Sequence, residues 1–284
     1  MTTATLDELK DQQRQSWNRF SEGWKKWDEF VMGWLKPVGD KIIEKTDLKE
    51  DYLVMDCATG TGEPGFTASK MVSKGKVIGT DLSERMVQIA NENARAKGIK
   101  NYEAMVCDTD ELPFEDNYFD AVISRFGIMF FADIQRDVKE LLRVLKPGKK
   151  MAVSVWAHPS SNPWASVPMG VIRSVLTLPP PPEGQPGIFR CAEEGYAAGI
   201  LKEAGLKNVQ EEAVTGTAVF DSPGAFWSYM REIAAPIVTT LEKTEQYQRD
   251  LIDKQLDEEL NRYVNKDTGD LELPWKAYVV HGTK

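Results

Sequence analysis

The sequence predicts an α/β fold on a largely parallel sheet, and three observations carry that prediction. Between Tyr52 and Trp156, short apolar runs alternate with stretches of helical period, and the connections between them are short. The first run, Tyr52-Leu53-Val54-Met55, stops just before a glycine-rich turn, Gly60-Thr61-Gly62-Glu63-Pro64-Gly65. An acidic residue, Asp81, closes the second run about twenty residues after Gly60.

Element by element, the first 45 residues read as helix. Leu6, Leu9, Trp17, Phe20, Trp24, Trp27, Val31 and Trp34 recur mostly at three- and four-residue steps. Asp47 to Asp51 is a polar break. The first strand is Tyr52 to Met55, followed by a helix over Pro64 to Lys74 with proline near its first turn. Lys76 to Thr80 is the second strand. Ser83 to Lys97 is a helix with Ser83 as N-cap and Gly98 at its end. Tyr102 to Cys107 and Phe119 to Ser124 are strands three and four, Ile134 to Lys146 a helix, and Lys150 to Trp156 strand five. The rhythm then breaks. Pro159 to Gly187 holds eight prolines, Pro179 to Pro182 consecutive, and reads as an irregular, semi-rigid insertion. Glu193 to Ala204 is a helix, Val209 to Phe220 a strand, Ser222 to Val264 helical and charged, and Trp275 to His281 a last strand. The expected organisation is a helical cap (1–48), a cofactor-binding core (49–158), a Pro-rich insertion (159–190), a continuation of the core (191–221), a helical lid (222–266) and a final core strand (267–284).

Composition narrows the function. The chain has 284 residues, enough for a sizeable core, with 35 Lys and Arg against 44 Asp and Glu and a net charge of −9. That balance disfavours a nucleic-acid partner, whose affinity rests on Lys/Arg counterion release. Cys57, Cys107 and Cys191 lie far apart without a C-x-x-C pair, so neither a disulfide framework nor a metal site is expected. No apolar run approaches ~18 residues, and Met1 to Lys10 lacks a cationic-then-apolar leader. The expectation is a cytoplasmic protein with no membrane span and a small-molecule partner; the oligomeric state is open.

The glycine turn carries the chemistry. Its six residues match the dinucleotide pattern G-x-G-x-x-G, and an NAD(P)-dependent reductase is one reading. Electrostatics favour another. Asp56 precedes the turn and Glu63 lies within it, so a diphosphate at the helix N-terminus meets two carboxylates, and Pro64 removes one N–H donor. S-adenosylmethionine has no phosphate, and its ammonium and sulfonium suit acidic neighbours. Asp81 is placed to accept from ribose hydroxyls, and Asp108, after strand three, to accept the adenine amino group, with Cys107 and Thr109 flanking the ring.

Residues 52 to 157 resemble the class I S-adenosylmethionine-dependent methyltransferases, closest to the type 11 group that includes ubiquinone/menaquinone C-methyltransferases. Five ordered blocks carry the resemblance: Val54 to Glu63, Gly79 to Met86, Asp108 through Leu112-Pro113-Phe114, Phe119 to Val122, and Leu142 to Gly148. The resemblance implies a Rossmann-like, seven-stranded, mostly parallel sheet with one reversed strand near the C-terminus. It implies that Asp56, Ala58, Thr59, Gly60 and Gly62 surround the methionine end and that Asp81 holds the ribose. Leu82 and Met86 would lie against the adenine, with Asp108 and Thr109 at its edge. Ser124, Arg125 and Phe126 would sit beside the cofactor and face the acceptor. Ala58 stands where many members have glycine, a change the type 11 group tolerates.

The expected activity is methylation of a small aromatic or apolar metabolite at O, N or C; a non-catalytic S-adenosylmethionine-binding module is a further alternative. Positioning a nucleophile against the methyl group supplies most of the rate, and a base is needed only if the nucleophile must lose a proton. His158, after strand five, is the candidate base, although a solvated loop histidine is the commoner case. Gly127 to Asp133, after strand four, contains no histidine. Trp17, Phe20, Trp24 and Phe130 read either as ordinary core packing or as walls of an apolar acceptor pocket. Asn162-Pro163-Trp164 reads as a turn.

Overall fold

The computed structural model describes residues 5–180, 182 and 184–284. Met1 to Ala4 at the start of the cap segment, and Pro181 within the proline quartet, lie outside the described residues. Seven strands, β1 (Leu53–Cys57), β2 (Lys76–Asp81), β3 (Tyr102–Val106), β4 (Phe119–Arg125), β5 (Leu145–Trp156), β6 (Lys207–Phe220) and β7 (Leu271–Thr283), form one sheet in the order β3-β2-β1-β4-β5-β7-β6. β7 runs antiparallel to both neighbours and is the one reversed strand. β1 is buried from Val54 to Cys57, as a central strand covered on both faces must be. It pairs in parallel with β2 (Val54 with Val77) and with β4 (Val54 with Ala121). The chain moves outward through β2 and β3 on one side of β1 and through β4 and β5 on the other. The order therefore reverses between β1 and β4, where a crevice opens at the strand C-termini.

Helices cover both faces. α1 (Leu6–Lys26) starts at a capping box in which Thr5 Oγ1 accepts from Glu8 N–H (3.2 Å) and Glu8 accepts from Thr5 N–H (2.7 Å). The continuous helix expected over the first 45 residues is two helices, because the backbone changes direction at Trp27, which ends α1 and precedes α2 (Asp28–Thr46). Val31, Leu35, Val38 and Ile42, three or four apart, bury one face of α2 on the sheet. α2 is thus a covering helix, and α1 is the one that roofs the crevice. α3 (Gly65–Met71) and α4 (Glu84–Ala96) follow β1 and β2. Ser83 caps α4 by accepting from Met86 N–H (3.1 Å), and Gly98 takes a left-handed φ of 68° just past its end. α5 (Ile134–Val144) hands directly to β5, so Pro147-Gly148 lies inside the strand and does not separate helix from strand.

The insertion is not irregular throughout. Pro163–Leu176 is a fourteen-residue helix, α6, and Asn162-Pro163-Trp164 opens it in place of the expected turn. Pro163 sits at its first position, where a missing N–H costs nothing, and Pro168 is accommodated inside. Asn162, wholly buried, fixes the start: its Nδ2 donates to the carbonyls of Ala157 (2.9 Å) and Lys276 (3.0 Å), and its Oδ1 accepts from Lys276 N–H (3.1 Å). α7 (Tyr196–Glu203) precedes β6. α8 (Pro223–Ile233), α9 (Ala235–Leu241) and α10 (Gln246–Leu260) join β6 to β7, where the lid segment was expected.

Candidate active site

A cavity of about 1250 Å³ opens at the switch point. Its walls come from the turn after β1, the ends of β2 and β4, α1, α2, α6, Pro182, the 184–190 segment and the α8–α9 corner. Small-molecule pockets typically span ~300–1,000 Å³, so there is room for a nucleoside-sized molecule and a second ligand beside it.

The turn after β1 is braced from beneath. Asp56 is wholly buried; its Oδ2 accepts from Thr59 Oγ1 (2.5 Å) and from Gly65 N–H (3.1 Å). Burial pushes the Asp56 carboxyl up to about 7, opposed by the Thr59 hydroxyl and the Arg125 charge. Thr59 also shares a hydrogen bond with Tyr102 (2.8 Å). A side chain at Gly65 would stand 2.6 Å from Asp56 Oδ2, so glycine is required there. The other donors of the first turn of α3 are taken as well. Phe66 N–H donates to the Gly62 carbonyl, Thr67 N–H to Glu63 Oε2 (3.1 Å), and Ala68 N–H to the Pro64 carbonyl. Of the turn residues, Ala58, Thr59, Gly60, Thr61 and Glu63 line the cavity. Asp56 and Gly62, expected to surround the ligand, do not: Asp56 supports the turn from below, and Gly62 packs on the Phe66 ring, which a Cβ would strike at 2.0 Å.

Asp81 stands at the wall with a fixed orientation. Its Oδ2 accepts from Gly60 N–H (2.9 Å) and its Oδ1 from Ser83 N–H (2.9 Å). Burial raises its carboxyl to about 6, opposed by those donors. Leu82, Met86, Asp108 and Thr109 join the same wall. α1 closes over this end. Lys10 pairs with Asp108 (3.0 Å) and with Asp110. Asn18 Oδ1 accepts from Ser83 Oγ (2.6 Å) and from Arg85 N–H (3.2 Å), and its Nδ2 donates to Glu84 (2.7 Å). The cavity also holds a buried acid that sequence analysis did not single out. Asp137 of α5 is 3% exposed, its Oδ1 has no hydrogen-bond partner, and burial pushes its carboxyl up to about 7, aided by Asp108 and Asp110.

At the end of β4, Arg125 and Phe126 line the cavity. Arg125 Nη2 contacts Met32 Sδ (2.8 Å); burial depresses its pKa, against the pull of Glu63, Asp56 and Asp28. Phe126 has a left-handed φ of 59° and stacks on Trp156 at 4.1 Å and 9°. Ser124, also expected to touch the ligand, is fully buried behind them and lies outside the lining. Trp17, Phe20, Trp24 and Phe130 all line the cavity, Trp17 edge-on to Phe130 (5.1 Å). Trp27 instead packs on Tyr229 (5.2 Å). Trp34, Trp156 and Trp164 complete the aromatic wall. His158 is displaced from the role expected of it. Its ring is exposed, its Nδ1 is bonded to Ser160 Oγ (2.8 Å) and caps a short 3-10 turn, and it does not border the cavity.

No helix among the described residues is long and apolar enough to cross a membrane. No group of three or more potential metal ligands occurs among them.

Comparison with known proteins gives a family model described as the ubiE/COQ5 methyltransferase family, matching residues 26–168. The ubiquinone/menaquinone biosynthesis C-methyltransferase UbiE of Francisella philomiragia is 34% identical over 121 residues, 42% of this chain and 48% of that protein. The demethylmenaquinone methyltransferase of Bacteroides fragilis is 31% identical over 154 residues, 54% of this chain and 58% of that one. The chain spans about half the length of the curated relatives it matches. Among solved structures, the YcgJ protein of Bacillus subtilis aligns over 87% of this chain and 97% of its own, with a TM-score of 0.58 at 19% identity, a likeness of fold.

Proposed function

The chain belongs to the ubiE/COQ5 methyltransferase family, and on that premise we propose that it transfers the methyl group of S-adenosylmethionine to a small aromatic or apolar acceptor, at carbon, oxygen or nitrogen. One observation carries the reading: the first-turn N–H groups of α3 are already taken, and Glu63 puts a carboxylate at the crevice beside them. Asp56, Glu63 and two carbonyls occupy the four donors that a diphosphate needs. A cationic nucleoside thioether suits the same surface, and this counts against the reductase alternative. The non-catalytic alternative calls for a closed pocket over Arg125 and Phe126, whereas both border open cavity. The names of the two curated relatives, both quinone-pathway methyltransferases, support an aromatic acceptor.

The residues present suit the cofactor. Asp81, held by Gly60 and Ser83, keeps carboxylate lone pairs for ribose hydroxyls. Glu63 and Arg125 supply opposite charges beside the turn for an ammonium and a carboxylate. Leu82 and Met86 offer an apolar face to the adenine, and Asp108 and Thr109 polar atoms to its edge. When bound, S-adenosylmethionine supplies an electrophilic methyl group on a sulfonium. The chain orients and dehydrates. Phe126 stacked on Trp156, with Trp34 and Trp164 behind, forms a rigid wall that excludes water and holds a flat acceptor in place. Positioning of this kind is worth up to ~7–11 kcal/mol. An electron-rich carbon or an ionised oxygen needs no base from the chain.

The test is incubation of the purified protein with methyl-labelled S-adenosylmethionine and a panel of naphthoquinols, catechols, phenols, bulk RNA and bulk protein. The expected outcome is S-adenosylhomocysteine release with label in an organic-extractable small molecule. Label confined to RNA or protein overturns the proposal.

A further inference from the structure

The charges of the cavity wall divide unevenly. Lys10 is committed to Asp108 and Asp110, and Arg125 faces Glu63, Asp56 and Asp28. Two further cations line the wall built by the insertion, Arg173 near the end of α6 and Arg190 on the segment that follows. Ala165, Ser166, Met169, Gly170 and Arg173 all border the cavity, so Arg173 extends a single face of α6. Arg190 is anchored by Nη1 donating to the Phe131 carbonyl, and Gly187 N–H donates to the Met129 carbonyl (3.1 Å), which ties its segment to the aromatic floor at Met129–Phe131. Its Nε is buried and has no hydrogen-bond partner. Among the described residues neither arginine has a carboxylate within 4.0 Å. Among the described residues of this wall the remaining carboxylate, Glu193, is exposed.

Two guanidiniums with no carboxylate partner among the described residues, one of them with an orphaned donor, both border one aromatic cavity and together make a receptor for a planar or tetrahedral oxyanion. Resting on the methyl-transfer reading, we infer that the acceptor is an aromatic acid: its apolar body carries a carboxylate or phosphate that Arg190 and Arg173 receive. Anion capture at this wall fixes which ring position faces the methyl group, because a flat apolar body alone leaves its in-plane rotation free.

The test is calorimetry on the full chain with S-adenosylhomocysteine present, titrating 2-naphthoate, 2-naphthamide and 2-naphthyl phosphate. The acid is expected to bind at least tenfold tighter than its uncharged amide, and the preference shrinks as salt is raised. Arg190→Gln and, separately, Arg173→Gln each reduce the acid toward the amide, while the amide and S-adenosylhomocysteine keep their wild-type affinities. A phosphate ester that outbinds the carboxylate identifies the anion as phosphate. Equal binding of acid and amide, failure of all three probes to bind, or an acid preference that survives both substitutions overturns the inference. An intact acid preference in a protein that does not take S-adenosylhomocysteine keeps the arginine pair and overturns the methyl-transfer reading instead.

Discussion

Asp81, half-buried, and Asp137, buried, are carboxylates of one cavity, and their partners separate them. Asp81 is gripped by two backbone donors at the cavity wall, where the proposed function puts the ribose. Replacing it with alanine is expected to weaken S-adenosylhomocysteine binding by ~1.5–3 kcal/mol, the worth of hydrogen bonds to a charged group, as read by calorimetry. Unchanged affinity would contradict the ribose assignment. Asp137 has no such donors, and Asp108, Asp110 and Asp133 add negative charge around it, with Lys10 opposing. Its folded-state value of about 7 lies above the ordinary carboxyl range, so the folded chain holds a proton that the unfolded chain has already lost. Stability therefore falls as pH rises from about 4 towards about 7, and the full cost is present above that. Asp137→Asn should raise Tm by more at pH 8 than at pH 5; an equal change at both would show that Asp137 is not titrating there. Asp137 was legible in principle. It interrupts the apolar stripe Ile134, Val138, Leu141, Leu142 of α5, and an acidic residue inside such a stripe signals a buried carboxyl. Arg190 gave no comparable signal, because its burial depends on the distant Phe131 carbonyl.

Two elements decide whether the site exists. The β1–α3 turn was readable from sequence because its constraints lie within one short stretch: glycine at position 65, where no Cβ can be accommodated, and Asp56, nine residues earlier, to accept its N–H. Gly65→Ala places a methyl group against Asp56 and Tyr102 and should abolish cofactor binding while circular dichroism keeps its helical signal. Retained binding would show that the turn adapts. α1 was readable as an amphipathic helix, but its attachment was not, since Asn18 is an unremarkable polar residue until Ser83 and Arg85 come to it from α4. Asn18→Ala removes hydrogen bonds worth ~0.5–1.5 kcal/mol each and should raise the S-adenosylhomocysteine dissociation rate measured by stopped flow. An unchanged rate would mean that α1 does not gate that end. α6 was missed because prolines dominate the composition of its segment, although Pro163 occupies the one helical position where proline is harmless.

At the scale of the molecule, alternating strands and helices gave the parallel half of the sheet directly, since each parallel pair needs a covering crossover. The reversed β7 was expected only through family resemblance, because pairing across the helices between β6 and β7 leaves no local mark. His158 shows the same limit: the end of β5 is near the cavity, yet the ring direction is set by a 3-10 turn that turns it to solvent. The cavity as a whole is a product of assembly. Four tryptophans from the N-terminal helices and the insertion, Trp17, Trp24, Trp34 and Trp164, meet Trp156 of the sheet around one space, and a carboxylate-lined turn closes its other end. The most direct test of this account is calorimetric titration of the purified chain with S-adenosylhomocysteine and, separately, with NADH. The account predicts one saturable site for the nucleoside thioether and no heat of binding from the dinucleotide. A site filled by NADH, from which S-adenosylhomocysteine is excluded, would contradict it.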